Sequence, residues 1–141
     1  MNRIFHASDP DFEEHISSEL ALVEKALLES TRSEYPFVSE TSRHLVVAGG
    51  KRFRPLLVLL AAEFGDPKSP EVIPAAVVVE LTHLATLYHD DVMDEATMRR
   101  GATSANARWD NTVAILTGDF LFARASQILA GLGPDAVRIQ A

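Results

Sequence analysis

The 141-residue chain has no cysteine. That excludes disulfides, thiolate metal sites and cysteine nucleophiles, and it suits a reducing, cytoplasmic setting. Positive charge is also scarce. With 13 Lys and Arg against 20 Asp and Glu, the net charge is −7, the wrong sign for a surface that grips nucleic acid. The opening residues "MNRIFHASDPDFEEH" hold no apolar segment of signal-peptide type. Uninterrupted apolar runs such as "LLVLLAA" fall well short of the ~20 residues a membrane span requires, so no integral membrane segment is expected. Strand-type alternation, internal repeats, low-complexity tracts and linkers are missing too. What remains is 47% hydrophobic and 23% charged residues, enough for one packed domain over residues 1–141.

The expected fold class is all-α. Asp9 is placed to cap a helix that has Pro10 at its first position, and Phe12, Ile16, Leu20, Val23 and Leu27 recur at helical spacing. After a break near Pro36, "SETSRHLVVA" reads as a shorter helix stopped by Gly49–Gly50. Pro55 opens the apolar helix "PLLVLLAAEF", and a loop holding Gly65, Pro67 and Pro70 follows. Pro74 has to sit in the first turn of the next helix, because an interior proline breaks the hydrogen-bond ladder. From Ala75 to about Asp94 the residues are apolar on nearly every side, the mark of a central buried helix. "EATMRRGATS" reads as loop. Asn111 is placed to cap a further helix ending at Gly131–Gly133, and Pro134 starts one more, inside which the sequence stops at "VRIQA". That abrupt stop reads as a chain cut mid-helix.

The chemistry concentrates in His89–Gly101, "HDDVMDEATMRRG". On a helix, Asp90 and Asp94 share a face roughly 6 Å apart along the axis, with Asp91 turned about 100° away. The two carboxylates repel each other at a helix C-terminus, where the macrodipole already disfavours negative charge. A bound divalent cation reverses that balance. Oxygen donors without thiolates suit Mg²⁺ or Mn²⁺, the remaining coordination coming from water and a substrate phosphate. A solvated helix end is the plain alternative, and the burial expected of this helix weighs against it. His83 lies seven residues before Asp90, nearly in line with it. His89 points elsewhere and reads as structural.

Two basic clusters flank this segment. Lys51, Arg52 and Arg54 lie in "GGKRFRP", a glycine-led loop running into a helix N-terminus. Free backbone N–H groups, the dipole and cationic side chains meet there to favour an anion. Arg99 and Arg100 form the second cluster, with the forked donors that match phosphate oxygens. Either cluster alone also fits solvated surface charge. The loop is not a nucleotide-binding P-loop, because the GxxxxGK[ST] spacing is absent. Together the acidic site and the two basic clusters suggest two phosphorylated ligands, one bridged by metal.

"GGKRFRP", "HDDVMD", "RRG" and "GDFLFARA", in that order over about residues 40–130, resemble the trans-prenyltransferases, the polyprenyl diphosphate synthases. The resemblance implies an isoprenoid-synthase-type helical bundle around a central cavity, incomplete in this chain. It implies Mg²⁺-dependent head-to-tail coupling of isopentenyl diphosphate to an allylic diphosphate, with Asp90 and Asp94 holding the metal. Lys51, Arg54, His83 and Arg100 match positions that bind isopentenyl diphosphate, and Arg99 matches the contact to the allylic diphosphate. Asp91, Arg52 and Asp119 are expected in supporting roles, and Gly118 as a close-packing position. Ala85 and Thr86 match the floor of the product cavity; being small, they imply a medium- or long-chain product. The family also implies a homodimer.

The chain departs from the family pattern in one respect. A second aspartate-rich motif is missing, since after Asp119 the one acid is Asp135. Little turnover is therefore expected of these residues alone. A terpene cyclase, which needs no isopentenyl site, and a non-catalytic subunit that stabilises a partner are the rival readings.

Overall fold

The computed structural model describes residues 5–141 and is helical almost throughout. Its elements are α1 (Pro10–Ser30), α2 (Pro36–Val47), α3 (Phe53–Ala62), α4 (Val72–Met93), β1 (Met98–Arg99), β2 (Ala102–Thr103), α5 (Ala105–Arg108), α6 (Asn111–Ala130) and α7 (Pro134–Gln140). Asp9 caps α1 as the sequence suggests: its Oδ1 accepts from the N–H groups of Asp11 at 3.0 Å and Phe12 at 3.2 Å. Ile16, Val23 and Leu27 of the α1 stripe are buried, with Phe12 and Leu20 packed on them.

Several expected boundaries move, each for a local reason. Pro36 starts α2 rather than breaking the chain before it, because a first-turn residue has no intrahelical use for an N–H. Pro55 is the third residue of α3, in the first turn and not at its start. The cap of α6 is Asp110, whose Oδ1 accepts from the Val113 N–H at 2.7 Å; Asn111 is the first helical residue. Pro74 does fall in the first turn of α4.

The segment expected to be a plain loop contains a two-residue hairpin. Met98 pairs with Thr103 and Arg99 with Ala102, antiparallel. The connecting residues Arg100 (φ +54°) and Gly101 (φ +76°) are both left-handed, the type I′ geometry that matches strand twist. Strands of two residues carry no alternation, so the signal was the glycine of "RRG".

α4 is the central helix, packed against α1, α3 and α6. Ala76, Val77, Leu81, Leu84, Ala85 and Tyr88 are buried in one continuous core. Tyr88 ties α4 to α2: its hydroxyl donates to the Thr41 carbonyl at 2.6 Å and accepts from the Leu45 N–H at 3.2 Å. The α4–α6 contact is close because Gly118 is bare. A Cβ there would stand 2.4 Å from His89 Nε2 and 3.1 Å from the Ala85 carbonyl oxygen. His89 faces this junction, its Nε2 3.0 Å from the Ile115 carbonyl oxygen.

The expectation that no apolar stretch nears membrane length needs correction. α4 (22 residues) and α6 (20 residues) both have the length and composition to cross a membrane, at mean hydropathy 1.3. Buried core helices pass the same test, and α4 turns its apolar surface into the fold.

Candidate active site

α4 ends at the acidic cluster, where neighbouring aspartates have different fates. Asp91 is fully buried and its Oδ1 is gripped by Arg99, at 2.7 Å from Nε and 2.5 Å from Nη2. Its backbone carbonyl accepts from the Ala96 N–H at 2.9 Å and from Asn106 Nδ2 at 3.2 Å, which folds the chain back from α4 into the hairpin. Its Oδ2 is buried without a hydrogen bond. Asp90 is half-buried and Asp94, the C-cap, is exposed. No described hydrogen bond or ion pair reaches either of their carboxylates. Two like charges thus stand unpaired at the negative end of the α4 dipole.

Across the described residues, no group of three or more His, Asp or Glu side chains is arranged to hold a metal. Asp90 and Asp94 offer carboxylate oxygens only, the donor type that a hard cation such as Mg²⁺ accepts.

The basic side is built around Arg52, which lies in the left-handed region at φ +47°. The side chain runs inward and is buried. Its Nε and Nη2 take the two carboxylate oxygens of Glu24 on α1 at 2.7 and 2.8 Å. Nη1 reaches Glu80 Oε1 on α4 at 3.2 Å, and Nη2 also donates to the Val46 carbonyl at 3.0 Å. The carboxylates of Glu24 and Glu80 outweigh the cost of burial and raise the Arg52 pKa. Lys51 and Arg54, on either side, are exposed and without described partners.

Arg100 is partly buried. It donates to the carbonyls of Gly49 and Leu45 at the end of α2, and its Nη2 lies 3.7 Å from the same Glu80 oxygen. Burial lowers its pKa, with Glu80 opposing. Both guanidinium groups lie over Gly50: a Cβ at that residue (φ +150°) would meet Arg100 Nη1 at 2.8 Å and Arg52 Nη1 at 3.1 Å. Only glycine admits this approach.

His83 is half-buried on α4. Burial lowers its pKa first, followed by the positive charge of Arg54; Arg100 acts in the same direction, while Glu80 and Asp90 oppose. Arg54, Arg100, Glu80 and Asp90 act on it through charge alone, since no described hydrogen bond or ion pair joins the His83 ring to them. Arg99 faces Asp91, leaving its Nη1 without a described partner.

Ala85 is fully buried at the α4–α6 junction, whereas Thr86 is half-buried, its hydroxyl donating to the His83 carbonyl at 2.7 Å. Asp119 is exposed, 3.3 Å from His89 Nε2. Two grooves, of about 410 and 340 Å³, lie instead along α1, α2 and α5, lined by residues such as Arg43, Val47 and Arg108. Glu24 and Glu80 are the residues that sequence reasoning passed over. Glu80 had a signal, as the one charged residue in the run from Ala75 to Tyr88; Glu24 had none.

The chain is 52% identical over 132 residues to a nonaprenyl diphosphate synthase of Mycobacterium tuberculosis, covering 93% of this chain and 39% of that protein. It is 48% identical over 118 residues to heptaprenyl diphosphate synthase component 2 of Geobacillus stearothermophilus, covering 84% of this chain and 37% of that protein. A crystal structure of geranylgeranyl pyrophosphate synthase from Corynebacterium glutamicum, complexed with calcium and isoprenyl diphosphate, superposes with a TM-score of 0.82 at 52% identity. That match covers 95% of this chain and 41% of the other. The fold is thus that of the isoprenoid-synthase helical bundles. The polyprenyl synthetase family model matches residues 35–141, and the chain belongs to that family. It spans about two-fifths of the length of the curated relatives it matches.

Proposed function

We propose that this chain carries the first diphosphate clamp of a Mg²⁺-dependent trans-polyprenyl diphosphate synthase, which extends an allylic diphosphate with isopentenyl diphosphate. The observation that carries this reading is the unpaired state of Asp90 and Asp94 while Asp91 between them is ion-paired. Charge left uncompensated at a helix C-terminus is unfavourable unless a cation binds there.

Asp90 and Asp94 are the residues to hold Mg²⁺, which supplies electrostatic stabilisation of a departing diphosphate. Arg99, anchored by Asp91, offers its remaining Nη1 to the allylic diphosphate. Lys51, Arg54 and Arg100 receive the diphosphate of isopentenyl diphosphate, with His83 as a neutral donor beside them. Fixed positive groups of this kind stabilise charge as it develops on the leaving group, at no cost of reorganisation. Once the allylic diphosphate leaves, the isopentenyl double bond attacks the allylic cation and a proton is lost, so no protein nucleophile is needed.

Nonaprenyl and octaprenyl diphosphate synthases among the relatives support a medium- or long-chain product, as do the small residues Ala85 and Thr86. Product sizing with Mg²⁺, labelled isopentenyl diphosphate and an allylic primer tests the reading. Mg²⁺-dependent incorporation into chains longer than geranylgeranyl is the expected result for the protein that contains this segment. Absence of incorporation counts against it. A cytoplasmic homodimer belongs to the same reading.

A second reading rests on the relatives named as component 2 of a heptaprenyl diphosphate synthase: the chain works together with a different polypeptide. Activity that arises only on mixing with such a partner favours that reading over the homodimer.

A further inference from the structure

Lys51 and Arg52 lie in the short loop before α3 and Arg54 in the first turn of that helix, yet only Arg52 is spent on protein contacts. Its guanidinium is held by a two-oxygen fork from Glu24 on α1, by Glu80 on α4 and by the Val46 carbonyl of α2. The same Glu80 oxygen faces Arg100 from the hairpin turn. Both arginines occupy left-handed backbone positions that a non-glycine residue adopts at some cost. Glu80 is almost completely buried, and its charge is compensated by these two guanidinium groups.

We propose that Glu24 and Glu80 are positioning residues: through Arg52 and Arg100 they lock the Gly49–Arg52 loop, the start of α3 and the Arg100 turn together, so that Lys51 and Arg54 are presented unpaired to a diphosphate. The proposal rests on the reading that this loop receives a diphosphate. Geometry supports it. Arg52 has its donors committed in three directions, which fixes the loop at its midpoint. With the midpoint turned inward, the flanking cations remain outside. Gly50 lets both guanidinium groups lie directly on the loop backbone. Without Glu24 the fork is lost, and outside its own loop Arg52 is held only by Glu80 and the Val46 carbonyl, so the loop at its midpoint loosens.

The test uses the whole protein that contains this segment and its Glu24→Gln variant, chosen because the Glu24 side chain is 41% exposed. Glu80→Gln is the harsher companion. Two quantities are read: NMR order parameters for residues 50–54, and the dissociation constant for isopentenyl diphosphate by calorimetry. In the wild type the loop is expected near the rigid value of about 0.85, falling below about 0.6 in Glu24→Gln. Affinity is expected to weaken about tenfold or more, as for other residues that orient ligand-binding groups. Lys51→Gln serves as the control: weaker binding with an unchanged loop.

Retained affinity in Glu24→Gln, or a loop that stays rigid in both glutamate variants, overturns the positioning role. A wild-type chain that binds no isopentenyl diphosphate, while Glu24→Gln still loosens the loop, overturns the ligand reading itself and with it the purpose assigned to the lock. The two failures are thereby distinguishable.

Discussion

The acidic end of α4 and the basic loop before α3 share a plan and differ in reach. In each, a middle charge is turned into the protein and its flanking charges stay outside. Asp91 is buried while Asp90 and Asp94 are unpaired; Arg52 is buried while Lys51 and Arg54 are unpaired. Asp91 finds its partner Arg99 eight residues away, on the first strand of the hairpin, and keeps one orphaned oxygen. Arg52 finds Glu24 and Glu80, each 28 residues distant in opposite directions, and joins α1, α4 and the end of α2. The acidic clamp is therefore a local construction, and the basic one exists only once three helices have assembled.

That contrast predicts unequal costs. The largest belongs to Arg52→Ala, which leaves Glu80 buried with only the more distant Arg100 to balance it. Removing one partner of a buried pair costs about 3–5 kcal/mol, to be measured by urea unfolding; a loss under 1 kcal/mol would erase the distinction between the two regions. Asp91→Asn comes next, at about 1–3 kcal/mol. It weakens one local ion pair, and the wild-type residue already holds an unsatisfied oxygen, so a cost above that of Arg52→Ala would invert the comparison.

Asp90→Asn with Asp94→Asn should leave stability unchanged or raise it by about 0.3–1 kcal/mol, since negative charge is withdrawn from a helix C-terminus. The same pair should abolish any Mg²⁺-dependent rise in melting temperature. If the metal still stabilises the double variant, these two carboxylates are not its ligands.

The smallest effect is a pH slope from His83. Its folded-state pKa is lowered, chiefly by burial and then by Arg54. Above the ordinary histidine value of about 6.5 both folded and unfolded states are neutral there, and His83 adds no pH dependence. Below it the unfolded state takes up a proton that the folded state resists, so stability falls as pH drops through the window beneath 6.5. His83→Gln should flatten that part of the stability profile; an unchanged slope assigns it to another group.

Much of the fold was legible because the signals were local. Asp9 before Pro10, the glycine pair after α2 and the apolar run of α4 each act within a turn or two of themselves. The hairpin escaped notice because two-residue strands have no period to detect, although Gly101 marked its turn. Asp110 caps α6 where the sequence pointed to Asn111, because adjacent cap-forming side chains compete and only backbone geometry selects one. At the site, the spacing of Asp90 and Asp94 was visible from helix geometry alone. That Arg52 turns inward and Lys51 outward was not visible, since a loop has no period to sort faces.

The sequence by itself determined the all-helical class, the central helix, the place of the acidic cluster and the family, because these depend on residues close together along the chain. Tertiary structure decided which charges stay free. Glu24, Arg52, Glu80 and Arg100 meet only when α1, α2, α4 and the hairpin pack together. A buried charge is stable only where such partners converge on it.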